Sequence, residues 1–322
     1  IQTQTGLSMR FLTTLLVLTI AVCGPAAAQD ATKSDPAKSK KKPAAPFRWV
    51  NPLPRGDWPE GLRHSTFRSP SMKVDVGYCI YLPPAYLASE DSESRFPVVY
   101  YLHGGRPGSE LKSVKLSRNI HETMSQKKVA PAIYVFVNGG AMSHYNYPEK
   151  NSLGEDVFVK ELIPHIDSTY RTIANRNGRG IEGFSQGGRG TTRIMFRHAD
   201  LFCSAAPGGS GYATEKRISE ENGRESESLV FAPGDNTWDI AREYAKSPHP
   251  PLRILVHVGT KGFNYECNLE YMQFLESLKI PYERLIVPDV PHSASGIYAK
   301  EGLTLMKFHE QNFTTAGRTQ AK

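Results

Sequence analysis

Three stretches of this 322-residue chain carry groups that could act on a carbonyl carbon. The first is Gly183-Phe184-Ser185-Gln186-Gly187, a serine set between two glycines. An apolar run precedes it and a helix-period stretch follows. A tight strand-to-helix turn of this kind lifts the serine hydroxyl clear of its neighbours, with glycines where a Cβ would clash. The new helix also directs the positive end of its dipole towards the reacting oxygen. The second stretch is His103-Gly104-Gly105, directly after the apolar run 97–102. An attacking serine needs N–H donors for the oxyanion it creates, and glycine lets the backbone come close to the carbonyl. The expected donors are the backbone N–H groups of Gly105 and Gln186. The third is Pro288-Asp289-Val290-Pro291-His292-Ser293, which follows the last apolar run and offers His292 as the base. Together these point to acyl transfer, with Ser185 as nucleophile, His292 taking its proton, and a covalent acyl intermediate.

These groups need a scaffold, and the rest of the chain supplies the pattern for one. Residues 62–68 and 73–82 read as a pair of early strands. Residues 97–102, 132–137, 180–184, 202–206, 252–258 and 282–287 are short, nearly continuous apolar runs, the signature of parallel strands covered on both faces. Helix-period stretches lie among them at 117–128, 155–170, 186–197, 237–246, 266–278 and 298–311. The alternation predicts one doubly wound α/β domain over residues 47–313, its working groups at the carboxyl ends of the strands. Residues 314–322 read as a flexible tail. Asn138 and Tyr145 follow the strand at 132–137 and are expected to line the substrate pocket. Glu182 is expected to be a buried, bonded carboxylate, His257 a core histidine, and His103 a structural neighbour of the glycine loop.

With these stretches in hand, the chain resembles the putative-esterase family of α/β-hydrolases, which includes feruloyl and acetyl-xylan esterases, enterochelin esterases and the esterase-D group. The resemblance rests on residues 97–105 (PVVYYLHGG), 161–167 (ELIPHID), 183–188 (GFSQGG) and the late strand with its histidine loop, and covers about residues 70–312. It implies an α/β-hydrolase fold, a mostly parallel sheet with helices on both faces, and Ser185 and His292 as nucleophile and base. It implies no cofactor and no metal. The chain departs from the family at the triad acid. These esterases usually carry an aspartate in a G-x-x-D setting after the strand corresponding to 252–258, whereas here the run is Gly259-Thr260-Lys261-Gly262. Glu266, four residues on, is the expected acid, with Asp289, Asp235 and Asp239 as alternatives.

Composition bounds the remaining possibilities. Hydrophobic residues make up 39% and aromatics 10%, too much apolar content for a disordered chain. The net charge of +7 is concentrated at the front. Residues 1–46 carry +4 and the other 276 residues only +3, without a basic stripe interleaved with aromatics, so nucleic acid is not an expected partner. Residues 1–28 read as upstream residues followed by a signal peptide over 9–28, built of Met9-Arg10, the apolar run 11–22 and Ala26-Ala27-Ala28; that apolar run is too short for a membrane span of about 20 residues. Residues 29–46 read as a Lys/Ala/Pro linker. The expected location is therefore periplasmic or extracellular. Cys79, Cys203 and Cys267 then remain, an odd number without C-x-x-C spacing, and read as structural thiols. The reading is an exported serine esterase acting on acetyl or feruloyl esters of polysaccharides. The alternatives are an enterochelin-type siderophore esterase and a non-catalytic binding module on the same scaffold.

Overall fold

Strands buried on both faces have no need of polar alternation, and the two sequences VVYYL and IYVFV show none; all ten residues are buried. They are β3 (Val98–Leu102) and β4 (Ile133–Val137) of an eight-stranded sheet. The others are β1 (Leu62–Arg68), β2 (Asp75–Tyr81), β5 (Arg179–Phe184), β6 (Ser204–Gly208), β7 (Arg253–Lys261) and β8 (Glu283–Pro291). The computed structural model describes residues 46–88 and 93–320, so the expected signal peptide and all but the last residue of the expected linker lie outside the described residues. The strand order is β1-β2-β4-β3-β5-β6-β7-β8. Strand β2 runs antiparallel to both β1 and β4, and every later pairing is parallel.

Alternate side chains of the strands enter two cores. Val98, Tyr100 and Leu102 join the core on one face, beneath α2 (Ile163–Thr169), α3 (Gln186–Arg197), α5 (Thr237–Lys246) and α6 (Tyr265–Ser277). Val99 and Tyr101 join the other, covered by α1 (Ser117–Ser125) and α7 (Ala294–Gln320). Among the described residues no helix is long and apolar enough to cross a membrane.

The register sets the site. Leu102, the last residue of β3, pairs with Val137 of β4 and Gly183 of β5, and Phe184 at the end of β5 pairs with Gly208 at the end of β6. The parallel strands therefore end together. Chain order reverses at β3, where β4 lies on one side and β5 on the other, and the loops leaving β3 and β5 open a crevice there.

Three features depart from the sequence pattern. Helix α4 (Tyr212–Glu220) and a small hairpin, Arg224–Ser226 with Leu229–Val230, fill the segment between β6 and α5. The final helix continues to Gln320, so the expected tail is helical over most of its length. Thr314 and Thr315 donate their hydroxyls to the carbonyls of Glu310 and Gln311, four residues back, which satisfies their side chains without breaking the turn. Strand β8 continues to Pro291, so His292 leaves the sheet directly.

Candidate active site

Ser185 is at φ 62° and ψ −115°, a strained conformation for a residue with a side chain. It is held there from both sides. Its N–H donates to the carbonyl of Gly208 at 2.9 Å, and its carbonyl accepts from the Arg189 N–H as the first bond of α3. The flanking glycines are obligatory. A Cβ on Gly183 would lie 2.5 Å from the Gly187 carbonyl oxygen, and one on Gly187 would overlap the carbonyl oxygen of Leu102. The turn thus packs against the end of β3.

His292 Nε2 is 2.8 Å from Ser185 Oγ. Its ring lies between Phe184, with centroids 4.8 Å apart, and Phe263, with centroids 4.3 Å apart. Partial burial lowers its pKa below the ordinary 6.5, so the neutral base is favoured. Its other nitrogen, Nδ1, is 3.2 Å from Oδ1 of Asn264. The amide cannot sensibly turn round, because its Nδ2 donates to the carbonyls of Gly209 and, at 3.1 Å, Ser210. An amide oxygen facing the ring requires the proton on Nδ1, which leaves Nε2 free to accept from Ser185. Asn268 completes the arrangement. Its Oδ1 accepts from the Ser210 N–H at 3.0 Å, and its Nδ2 donates to the Ser210 and Asn264 carbonyls at 2.9 and 2.8 Å.

The residue against Nδ1 is therefore an asparagine, and the expectation of Glu266 is corrected. Glu266 lies exposed in the first turn of α6, with its side chain outside the hydrogen-bonded cluster. The alternatives are engaged elsewhere: Asp289 is exposed and pairs with Lys261 at 2.8 Å, Asp235 pairs with Arg197 at 2.5 Å, and Asp239 pairs with Arg242 at 2.7 Å. Gly262, in the place where the family resemblance calls for aspartate, has a physical counterpart. A Cβ there would lie 3.1 Å from Asn264 Oδ1, so the amide oxygen occupies the space into which a side chain at 262 would grow.

The loop after β3 lies across from Ser185. A Cβ on Gly104 would be 3.2 Å from Ser185 Cβ and 3.8 Å from its Oγ. Gly105 is at φ +70°, open to glycine and strained for other residues. The carbonyls of Gly104, Gly105 and Pro107 are taken up. His103 Nδ1 donates to the Gly104 oxygen at 3.1 Å, Ser143 Oγ to that of Gly105 at 2.7 Å, and Lys112 Nζ to those of Gly104 and Pro107 at 3.3 and 2.5 Å. His103 Nε2 accepts from the N–H groups of Gly139 and Ser109. Burial and the nearby Lys112 charge push its pKa down to about 3, so it is a neutral strut beneath the loop.

Two further sequence expectations are corrected. Asn138 is buried, donating to the Arg48 and Trp49 carbonyls and to Glu110 while accepting from the Gly140 N–H. Tyr145 is fully buried, its hydroxyl donating to Glu215 and its ring stacked between Phe231 at 4.0 Å and the Arg193 guanidinium at 3.4 Å. Both are drawn into the interior by polar groups that a loop reading cannot foresee. Glu182 is buried as expected and accepts from the Tyr298 hydroxyl at 2.9 Å. His257 is buried in β7 against Gly208, its pKa pushed down to about 3 by burial and by His309. Cys79, Cys203 and Cys267 are free thiols.

A family model described as Putative esterase matches residues 69–279. The chain belongs to that family. Within it, the chain is 27% identical to Esterase Rv1288 of Mycobacterium tuberculosis over 256 residues, 72% of this chain and 54% of that protein. It is 29% identical over 151 residues to the endo-1,4-beta-xylanase/feruloyl esterase of Xylanibacter ruminicola, 44% of this chain and 20% of that one. The chain thus spans about half the length of the first relative and less of the second. Among solved structures, a ferulic acid esterase superposes with a TM-score of 0.63 at 20% identity, covering 78% of this chain and 98% of that one. An S-formylglutathione hydrolase of Staphylococcus aureus gives 0.61 at 16%, covering 76% and 98%. At these identities the likeness is one of fold, and it is to α/β-hydrolase esterases.

Proposed function

We propose that this esterase-family protein hydrolyses carboxylic esters through Ser185, His292 and Asn264. The observation that carries the reading is the 2.8 Å contact between Ser185 Oγ and His292 Nε2 at a strained strand-to-helix turn. In the first half-reaction Ser185 Oγ attacks the ester carbonyl carbon as His292 Nε2 accepts its proton. The oxyanion that forms is met by the backbone N–H groups of Gly105 and Gln186, donors worth on the order of 3 kcal/mol each in the transition state. The imidazolium, its Nδ1–H held by Asn264 Oδ1, then protonates the departing alkoxide and leaves an acyl-serine. Water, deprotonated by the same imidazole, releases the acid and restores the serine.

The substrates we infer are acetyl or feruloyl esters carried on polysaccharide. Two observations support this: relatives described as feruloyl esterases, and Phe263, 85% exposed beside His292, where a departing sugar alcohol would pass. The residue pattern at 9–28 supports export to meet such a polymer. No observation favours the siderophore ester. The binding-module reading rests on the missing carboxylate, and it predicts no Ser185-dependent hydrolysis.

The test is p-nitrophenyl acetate hydrolysis and ferulate release from feruloylated arabinoxylan, each by the wild type beside Ser185→Ala. Turnover of both that vanishes in the variant is expected. Equal rates in the two proteins on both substrates would overturn the esterase reading. Cleavage of p-nitrophenyl acetate alone would overturn the choice of feruloyl ester.

A further inference from the structure

One carboxylate away from Ser185 and His292 bonds both to the residue beside one expected oxyanion donor and to the helix turn that begins with the other. Glu225, on the short strand Arg224–Ser226, accepts from Arg106 through two parallel bonds, Nη1 to Oε1 at 3.0 Å and Nη2 to Oε2 at 2.8 Å. Its Oε1 also accepts from Arg189 Nη2 at 3.2 Å. Arg106 is the residue after Gly105. Arg189 lies in the first turn of α3, three residues after Gln186. A single side chain therefore ties the residue beside one donor to the helix turn that begins with the other.

The two ends are not held equally. Arg189 is almost fully buried and has a second carboxylate, Glu215, 3.2 Å away, so α3 is anchored without Glu225. Arg106 sits on an irregular loop, and Glu225 is its charged partner. Its guanidinium otherwise lies near the rings of Tyr145 and Phe231, each centroid 5.7 Å away. Burial would raise the Glu225 pKa, but hydrogen bonds from Arg106 and the charge of Arg189 hold it below the ordinary carboxylate value, so it is ionised in the pair. A bidentate arginine–carboxylate pair fixes direction as well as distance. An oxyanion donor must sit within roughly 2.7–3.1 Å of where charge develops.

We propose that Glu225 is a positioning residue that sets the separation of the Gly105 and Gln186 N–H groups by clamping the loop of one to the helix of the other. The proposal rests on the esterase reading above. It assigns the hairpin of Arg224–Ser226 and Leu229–Val230, which the sequence pattern did not reveal, a part in the reaction through the oxyanion loop.

The experiment compares wild type with Glu225→Gln, Arg106→Met and Arg106→Lys. It measures kcat and KM on p-nitrophenyl acetate and the Ki of an alkyl trifluoromethyl ketone, whose hemiketal places an oxyanion in the same position. Misplacing one donor by about 1 Å costs on the order of 100-fold. Glu225→Gln and Arg106→Met are expected to lose about that much in kcat, keep KM within about twofold, and weaken the ketone in parallel. Arg106→Lys, which keeps the charge but not the fork, is expected to fall between them and wild type, and it decides the matter if the other two fail to fold. Glu155→Gln is the control. It breaks the carboxylate contacts to Arg197 and His198 elsewhere in the ion-pair belt and is expected to leave kcat unchanged. The clamp is overturned if the folded Arg106 and Glu225 variants keep kcat within about threefold, or if Glu155→Gln loses as much as they do. Wild type lacking Ser185-dependent hydrolysis overturns the function and the clamp together.

Discussion

Asn264→Ala removes the group that faces His292 Nδ1, and the structure sets the size of the effect. In the resting enzyme the contact at 3.2 Å joins two neutral groups, worth about 0.5–1.5 kcal/mol; in the transition state the ring is a cation, and the same bond is worth about 1.5–3 kcal/mol. The difference, about 1–2 kcal/mol, is lost from catalysis. The imidazole is also freed to take the wrong tautomer, a defect that costs about 10⁴ where a triad aspartate is replaced by asparagine. Here the neighbouring Phe184 and Phe263 rings still restrain the ring plane, so a fall in kcat/KM of about 100-fold is expected. Stability should fall by about 1–3 kcal/mol, because the Gly209 carbonyl loses a donor while that of Ser210 keeps Asn268. Asn264→Asp probes the same geometry from the other side. It replaces the Nδ2 donor by an oxygen facing two carbonyl oxygens, and should be destabilised by about 2–4 kcal/mol even as its charge raises the His292 pKa. Glu266→Gln, on exposed surface, should keep turnover within about twofold. The assay is p-nitrophenyl acetate hydrolysis over pH 5–9 with urea unfolding on the same samples, Ser185→Ala giving the baseline. If Asn264→Ala stays within threefold of wild type while Glu266→Gln falls tenfold or more, the reasoning is refuted.

Stability should fall steeply in mild acid. His103 and His257 are pushed down to about 3 and His144 well below its ordinary 6.5, burial being the main cause in each. Below about pH 6.5 the unfolded chain binds protons at these sites and the folded chain does not, so their contribution is full above that pH and falls below it. Three such groups lose about 4 kcal/mol between pH 7 and pH 5.5, and urea unfolding at the two values that differed by less than about 1 kcal/mol would contradict it. Activity itself should persist below pH 6.5, because His292 is also shifted down and, among the described residues, no carboxylate bonds to its ring; an acid limb of kcat/KM above pH 6.5 would count against this. Phe263→Ala should leave p-nitrophenyl acetate turnover within about threefold but raise KM several-fold on feruloylated arabinoxylan. Equal KM values on the polymer would remove Phe263 from substrate contact.

The strands and the elbow could be read from sequence because a local rule governs each. Residues 62–68 and helices 186–197 and 237–246 coincide with the observed elements, where apolar period and flanking turn residues agree. The segment between β6 and α5 failed for the opposite reason. Helix α4 carries the fully buried Tyr212 and Glu215, and Glu215 is paired with arginines from another helix, a contact with no local trace. Its short hairpin joins only a few residues. Tyr145 was misplaced by the same belt, since a tyrosine after a strand end resembles a pocket residue until Glu215 and Arg193 claim it.

Asn264 was missed for a more specific reason. It immediately precedes a helix, where asparagine is common as a cap, and capping would account for it fully. In the structure it stands at that N-cap position, yet its side chain makes no capping bond. The oxygen that would have accepted from the helix backbone faces His292, and the nitrogen holds the Gly209 and Ser210 carbonyls beyond β6. A search for carboxylates passes over it, and capping preference explains it away. The only sequence trace is negative: a glycine at 262, where a side chain was expected, leaves the space that the Asn264 amide oxygen fills. Gly262 and the placement of the Asn264 amide are therefore linked in packing. Restoring a side chain at 262 without removing Asn264 would bring its Cβ within 3.1 Å of the amide oxygen.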